Sequence, residues 1–118
     1  MVVLTISVDV PPAKRNELLS TFRLFQDLAR AEDGCIECNL LWDVDHENHL
    51  ELEERWSHRA QLDSHLLSAN FTALLGAVKL LGESFEIRIN DSTPAEGMAI
   101  VEYVRANDMT TAKTNTDS

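Results

Sequence analysis

The chain has 118 residues, of which 44% are hydrophobic and 25% are charged, and its formal net charge is −10. This length suits one domain built around a single hydrophobic core. Because a surface this acidic repels phosphate backbones and anionic headgroups, we expect no nucleic-acid partner and no membrane partner.

The first residues, MVVLTISV, lack the basic segment that opens a signal peptide, and no later apolar stretch is long enough to cross a bilayer. We therefore expect a cytoplasmic protein. In a reducing cytoplasm Cys35 and Cys38 stay reduced, and two cysteines are too few to form a disulfide scaffold for a chain of this length.

Residues 2–10 alternate apolar with small polar residues, which predicts a β-strand. Pro11 and Pro12 end that strand and suit the first turn of a helix. From about residue 13 to residue 31, apolar residues recur at three- and four-residue steps, which predicts an amphipathic helix. Its apolar stripe consists of Leu18, Phe22, Phe25 and Leu28, widened by Leu19 and Ala29. Gly34 follows, where a left-handed residue is expected beyond the helix end.

Residues 35–44 and 48–56 are two extended runs joined by the polar turn Asp45-His46-Glu47, and they predict an antiparallel hairpin. In the second run one face carries Leu50, Leu52, Glu54 and Trp56, while the other face is charged. This pattern is typical of a sheet that is covered on one side.

Two helices follow, one over residues 58–67 with Ser57 as its N-cap, and a longer one that begins at Ser68 or Asn70 and closes at Gly82. Phe85, Ile87 and Ile89 alternate with polar residues and predict a fourth strand. Residues 91–97 read as a loop, residues 98–104 as an added fifth strand, and residues 107–118 as a polar flexible tail.

These elements predict an α+β domain over residues 1–106 with ferredoxin-like β-α-β-β-α-β order and an antiparallel sheet. Helices on one face leave the other face uncovered, and self-association is the simplest cover for an apolar face, so we expect a homodimer. The fifth strand could cap an edge of its own sheet or of a partner's sheet.

The chain resembles the antibiotic biosynthesis monooxygenase superfamily over roughly residues 2–90. The similar residues are Gly34-Cys35, then Glu54-Arg55-Trp56-Ser57, and then the helical block from Leu62 to Phe71, which contains the pattern H-L-x-S-x-x-F. These are scattered positions, more specific for the fold than for an activity.

The resemblance implies a homodimer whose sheets meet face to face as a dimeric α+β barrel, with a pocket between each sheet and its helices. It implies an oxygenase that needs neither metal nor flavin, and therefore no cofactor, and that acts on a small aromatic phenol or quinol. Other members degrade haem. Their haem-ligating histidine corresponds to Leu75 here, and because leucine cannot ligate iron the haem-degrading activity is disfavoured.

His65 is the candidate base, because a neutral imidazole in an apolar pocket can take a phenolic proton near neutral pH. The alternative is a helix histidine with a purely structural role. Trp56 is expected either to fill the core or to form a pocket wall that stacks on a flat ring. Asn39 could donate a hydrogen bond to a substrate oxygen or face solvent, and Phe22, Phe71 and Leu74 are expected to line the pocket and exclude water.

Cys35 and Cys38 have the spacing of a redox or zinc motif, but residues three apart on a strand should point to opposite faces, so we expect structural cysteines. The hairpin turn carries atoms suited to a metal, but solvated turn residues explain them more simply, and we expect no metal site. These turn residues are Asp43, Asp45, His46, Glu47 and His49.

Two other functions remain open. An isomerase of a small carbonyl compound could use the same base without O₂, and a phosphorylated substrate would need a cationic anchor from Arg23, Arg55 or Arg88. A non-catalytic dimer that binds a small ligand is the other alternative.

Overall fold

The computed structural model describes residues 1–91. The strands are β1 (Val2–Asp9), β2 (Cys35–Trp42), β3 (His49–Trp56) and β4 (Ser84–Asp91), and the helices are α1 (Arg15–Arg30), α2 (Arg59–Leu66) and α3 (Ala69–Leu81). A 3-10 turn, Pro12–Lys14, precedes α1. The predicted fifth strand over 98–104 and the tail over 107–118 lie outside the described residues.

The four strands form one antiparallel sheet with the order β2-β3-β1-β4. The predicted ferredoxin-like α+β order is confirmed, with the second helical segment divided into α2 and α3. The register places Leu4 of β1 beside Glu54 of β3 on one side and Ile89 of β4 on the other. Because side chains alternate along a strand, this register brings Glu54 onto the same face as the apolar residues of β1 and β4.

That face, called the near face below, is buried against the helices. Its fully or almost fully buried residues are Val2, Leu4, Ile6, Val8, Cys38, Leu50, Leu52, Glu54, Trp56, Phe85, Ile87 and Ile89. Helix α1 packs on it through Leu18, Phe22 and Ala29, whereas Leu28 of the predicted stripe is exposed.

The opposite face, called the far face, is mostly polar. It carries Thr5 and Ser7 of β1, Glu51, Glu53 and Arg55 of β3, and Glu86 and Arg88 of β4. The argument for a dimer from an uncovered apolar face therefore does not apply to most of this surface. Exposed apolar residues are found instead on β2, at one edge of the sheet: Ile36, Leu41 and Trp42.

The predicted helix ends are confirmed in part. Gly34 has a φ of +92°, so its predicted left-handed conformation is confirmed, but it lies directly before β2, three residues beyond Ala31, the C-cap of α1. The Ser68 hydroxyl caps α3 by accepting a hydrogen bond from the Phe71 amide. The prediction for Ser57 is wrong, because the N-cap of α2 is His58 and its side chain makes no capping bond. Gly82 has a φ of −82°, but a side chain there would meet Val8 Cγ1 at 2.6 Å, so close packing against β1 requires glycine.

No single helix within residues 1–91 is long and apolar enough to cross a membrane. Helices α2 and α3 reach that length and composition only as a pair, and the pair is bent by 64° at the break between them.

Candidate active site: a buried histidine between two glutamates

His65 lies in the last turn of α2, and 3% of its surface is exposed. Leu62, one turn earlier, is also buried, so this short helix turns a single side towards the near face. The predicted candidate base is therefore an interior residue, and the hydrogen-bonding capacity of its ring has to be satisfied inside the protein.

One nitrogen of the imidazole contacts the segment between α1 and β2. The Nδ1 atom lies 2.9 Å from Oε1 of Glu32, in a hydrogen bond between residues 33 positions apart in the chain. About a quarter of the Glu32 side chain is exposed, 24%, but Oε1 of its carboxylate faces the ring and Oε2 is buried.

The other nitrogen faces β3. The Nε2 atom lies 3.0 Å from Oε1 of Glu54, whose side chain is completely buried. The same oxygen accepts a hydrogen bond of 3.2 Å from the indole Nε1 of Trp56. Glu54 is thus a charged group on the apolar face of the sheet, and Trp56 and His65 hold its carboxylate from two directions.

Three polar atoms of this cluster are buried and have no hydrogen-bond partner among the described residues: Nε2 of His65, Oε2 of Glu54 and Oε2 of Glu32. Nε2 nevertheless lies 3.0 Å from Oε1 of Glu54, which is close enough for a strong ionic contact when the imidazole is protonated. A buried polar group without a partner costs roughly 1–3 kcal/mol. A buried polar atom without a hydrogen-bond partner needs an explanation, so these atoms are the candidate contacts for a ligand.

Two aromatic rings enclose the imidazole. The ring of Trp56 is tilted by 34° to that of His65 at a centroid separation of 4.6 Å, and Phe71 meets it edge-on at 5.4 Å. These contacts confirm that the structure brings His65, Trp56 and Phe71 together. An apolar wall strengthens the interaction between the enclosed charges because it excludes water.

The charges around His65 determine its protonation. Burial by itself lowers the pKa of His65, but the contacts with Glu54 and Glu32, and the negative charges of both, outweigh burial and raise it above the ordinary value of 6.5. The imidazolium form is therefore favoured to a higher pH than in an isolated histidine.

The other predicted site residues are not all near this cluster. Phe22 of α1 and Leu74 of α3 are buried core residues under the near face. Asn39 pairs with Glu53 across β2 and β3 and therefore lies on the far face, where its amide donates to Oε1 of Glu37. The structure does not bring Asn39 to His65, and its role in substrate binding stays a prediction.

Contrary to the sequence prediction, the thiols of Cys35 and Cys38 do not point to opposite faces of the sheet. The register shifts between Cys35 and Glu37, so Cys35 pairs with Trp56 and Cys38 with Glu54, and the bulge turns both thiols to the near face. The expectation of opposite faces is therefore wrong. Burial, followed by the charge of Glu54, raises the pKa of Cys35 to about 11 and raises that of Cys38 further. Thiols in this state are poor nucleophiles, which agrees with a structural role.

The residues of the hairpin turn lie at a different place. His49 bridges Asp9 at 2.8 Å and Glu51 at 3.2 Å, and a hollow of about 540 Å³ opens beside it between the end of β1 and the starts of β3 and β4. Neither this hollow nor a smaller one beside Trp42 is lined by His65 or Trp56. Within residues 1–91 no group of three or more histidine, cysteine or acidic side chains is arranged to hold a metal ion.

Sequence reasoning missed both glutamates of the cluster. A signal for Glu54 existed, since it is the one charged residue on the apolar face of the predicted third strand. Glu32 gave no signal, because an acidic residue just after a helix is ordinary and its contact with His65 is non-local.

Comparisons with known proteins agree with this fold. The sequence profile of the family described as antibiotic biosynthesis monooxygenase matches residues 1–77. A protein of Bacillus subtilis (strain 168) named "Putative monooxygenase YcnE" is 32% identical over 81 residues, which are 69% of this chain and 85% of that protein.

Two solved structures show the same architecture. One, described as an antibiotic biosynthesis monooxygenase, is 23% identical and superposes with a TM-score of 0.70 over 80% of this chain and 100% of the other. The second, Rv0793 from Mycobacterium tuberculosis, is 25% identical, with a TM-score of 0.71 over 78% of this chain and 94% of the other. The resemblance predicted from the sequence is therefore confirmed.

Proposed function

Because this chain belongs to the antibiotic biosynthesis monooxygenase family, we propose that it is a cofactor-independent monooxygenase that oxidises a small aromatic phenol or quinol with O₂. The observation that carries the proposal is the buried pair His65 and Glu54 beside an indole ring, where Nε2 of His65 and Oε2 of Glu54 make no hydrogen bond within residues 1–91. A phenolic hydroxyl is a small donor that suits these acceptors, and its ring suits the aromatic wall.

The proposed first step is proton transfer. Only the neutral form of His65, with its proton on Nδ1 towards Glu32, can act as the base; its Nε2 accepts the hydroxyl proton of the substrate, the O–H bond breaks, and the imidazole becomes an imidazolium between two carboxylates. Glu54 stabilises that positive charge from 3.0 Å, and Glu32 does so from the other side. Because the raised pKa of His65 shifts the neutral form to higher pH, turnover should increase as the pH rises through that pKa.

The second step is the reduction of O₂ by the electron-rich phenolate. For a phenol that becomes a quinone, one oxygen atom of O₂ replaces the hydrogen of a ring C–H bond and forms a new C=O group, and the phenolate C–O⁻ becomes the second C=O group. The other oxygen atom leaves as water, which takes up that ring hydrogen and the proton returned by His65. Trp56 and Phe71 would exclude bulk water from the reacting ring during this step. The protein contributes His65 as the base, the carboxylates of Glu54 and Glu32 as stabilising charges, and aromatic side chains that enclose the substrate ring.

We propose that the functional unit is a homodimer in the cytosol. The support is the edge strand β2, which carries the half-exposed apolar residues Ile36, Leu41 and Trp42. An edge strand with apolar side chains is commonly covered by another chain.

Oxygen consumption tests the proposal. With a panel of benzohydroquinones and naphthohydroquinones, the protein should consume O₂, and His65→Gln and Glu54→Gln should each lower kcat by roughly 100-fold or more, the usual contribution of a positioned base. Glutamine is preferred to alanine at position 65, because alanine would leave the Glu54 carboxylate buried without a partner.

His58→Gln is the matched control, since His58 precedes the same helix and is exposed. It should keep the turnover of the wild type. Unchanged turnover in both His65→Gln and Glu54→Gln would refute the proposed base.

The same experiment separates the alternatives. An isomerase would convert its substrate without consuming O₂, and a ligand-binding dimer would show no turnover. Two of the expected anchors for a phosphorylated substrate, Arg55 and Arg88, lie on the far face, across the sheet from His65. This placement disfavours a phosphorylated substrate at the candidate site.

A further inference from the structure

The candidate contacts for a substrate lie inside the protein. Nε2 of His65 and Oε2 of Glu54 are both buried. Within residues 1–91, neither the hollow beside His49 nor the smaller one beside Trp42 reaches them. A phenol therefore reaches these atoms only when an element that covers them moves.

Helix α2, which carries His65, packs on the near face less firmly than the other two helices. Helices α1 and α3 bury three and four apolar residues, whereas α2 buries Leu62 and His65, with Leu66 partly buried. Its N-cap makes no side-chain hydrogen bond, and its outer side, which includes Ala60 and Ser64, is exposed. A helix this short is marginal by itself, and segments with few buried apolar contacts open locally at a lower free energy than the core.

The residues on either side of α2 are fixed to other elements. The amide of Ser57 donates a hydrogen bond of 2.9 Å to the backbone oxygen of Gly34. The hydroxyl of Ser68 caps α3 by accepting a hydrogen bond of 3.1 Å from the amide of Phe71. An opening can therefore be confined to residues 58–67, while β3 and α3 stay folded.

We propose that α2 is a lid over the candidate site. Residues 58–67 detach from the near face and lose their helical structure, and the space beside Glu54 and Trp56 then admits the substrate. The segment closes again with His65 over the bound ring, held by Leu62 and by the contacts of His65 with both glutamates. The base thus reaches the substrate only on closure, when bulk water is also excluded. The role of the lid in turnover rests on the proposed function, but the opening itself does not.

Chemical modification of His65 tests the lid without any substrate. Diethyl pyrocarbonate acylates accessible neutral imidazoles, and tandem mass spectrometry of peptides gives the rate at each histidine. If α2 opens by itself, His65 should react more slowly than the exposed His58 and His46, at a rate that changes little with urea below the unfolding transition. If His65 is reached only by unfolding of the whole protein, the logarithm of its rate should rise with urea with the full slope of global unfolding. That result would overturn the lid.

A pair of glycine variants separates opening of α2 from loss of global stability. Ala60→Gly weakens α2 at an exposed position, so it should raise the rate at His65 by about threefold or more without urea. Ala73→Gly is the matched control, because it makes the same change at an exposed position of α3 and should leave that rate unchanged. A rate in Ala60→Gly equal to that of the wild type, or an equal increase in both variants, would contradict the proposal.

Oxygen consumption and modification fail independently. If the wild type consumes no O₂ with any hydroquinone, the proposed function fails, and the modification of His65 still decides whether α2 opens. If O₂ is consumed but His65 reacts only with the slope of global unfolding, the proposed function stands and the lid is refuted.

Discussion

The charges around His65 should make the stability of the protein depend on pH in a defined direction. The pKa of His65 is raised in the folded protein above its ordinary value of 6.5, so the folded state binds a proton more tightly than the unfolded state. The stabilisation that protonated His65 gives the folded protein is complete below pH 6.5. It is lost as the pH rises from 6.5 through the pKa of His65 in the folded protein. The free energy of unfolding should therefore fall with rising pH in that window.

The magnitude follows from proton linkage. One proton that is bound in the folded state and absent from the unfolded state gives a slope of at most about 1.4 kcal/mol per pH unit. His49 contributes a slope of the same sign, because its pKa is also raised: burial opposes protonation, and the contacts with Asp9 and Glu51 outweigh it. A variant that removes only the His65 contribution is therefore needed.

Glu54→Gln/His65→Gln is that variant. Both charges are removed together, so no carboxylate is left buried without a partner, and the amides keep a similar size. Urea unfolding at pH 6, 7, 8 and 9 should show a steeper loss of stability with rising pH in the wild type than in the double variant, by up to the slope of one proton. Equal slopes in the two proteins would refute the assignment of a raised pKa to His65.

Two further predictions concern the assembly and the backbone. Light scattering after size-exclusion chromatography should give twice the chain mass of 13.3 kDa, and a mass of one chain at micromolar concentration would contradict the proposed dimer. Gly34→Ala should destabilise the fold by about 1–2 kcal/mol, because φ is +92° and the new methyl group would overlap the Gln61 side chain. Gly76 lies in α3 with open space around it, so Gly76→Ala should instead stabilise the fold by about 0.8–1 kcal/mol. Thermal unfolding of both variants measures these opposite changes in stability. A destabilised Gly76→Ala would contradict this account of the helix.

The sequence predicts the order of elements well, because the signals are local. Alternation in residues 2–10 and the stripe of three- and four-residue steps after Pro12 depend only on near neighbours. The bulge between Cys35 and Glu37 is different, since one extra residue reverses the direction of a side chain without a mark in composition. That single residue is why both thiols lie on the near face.

The candidate site could be predicted only in part for the same reason. His65 and Trp56 stand out as a polar residue and a large ring among apolar neighbours, and the structure brings them into contact. Asn39 is on the other face because its register with Glu53 is set by strand pairing. The contact of His65 with Glu32 joins two ends of separate elements, and no periodic pattern indicates such a pairing.

The position of a bound phenol tests the central claim most directly. In a crystal structure of the protein with 4-nitrophenol, the hydroxyl oxygen should lie within hydrogen-bonding distance of Nε2 of His65 or Oε2 of Glu54, with the ring against Trp56. A 4-nitrophenol molecule that occupies only the hollow beside His49, with the His65 cluster unchanged, would contradict the account.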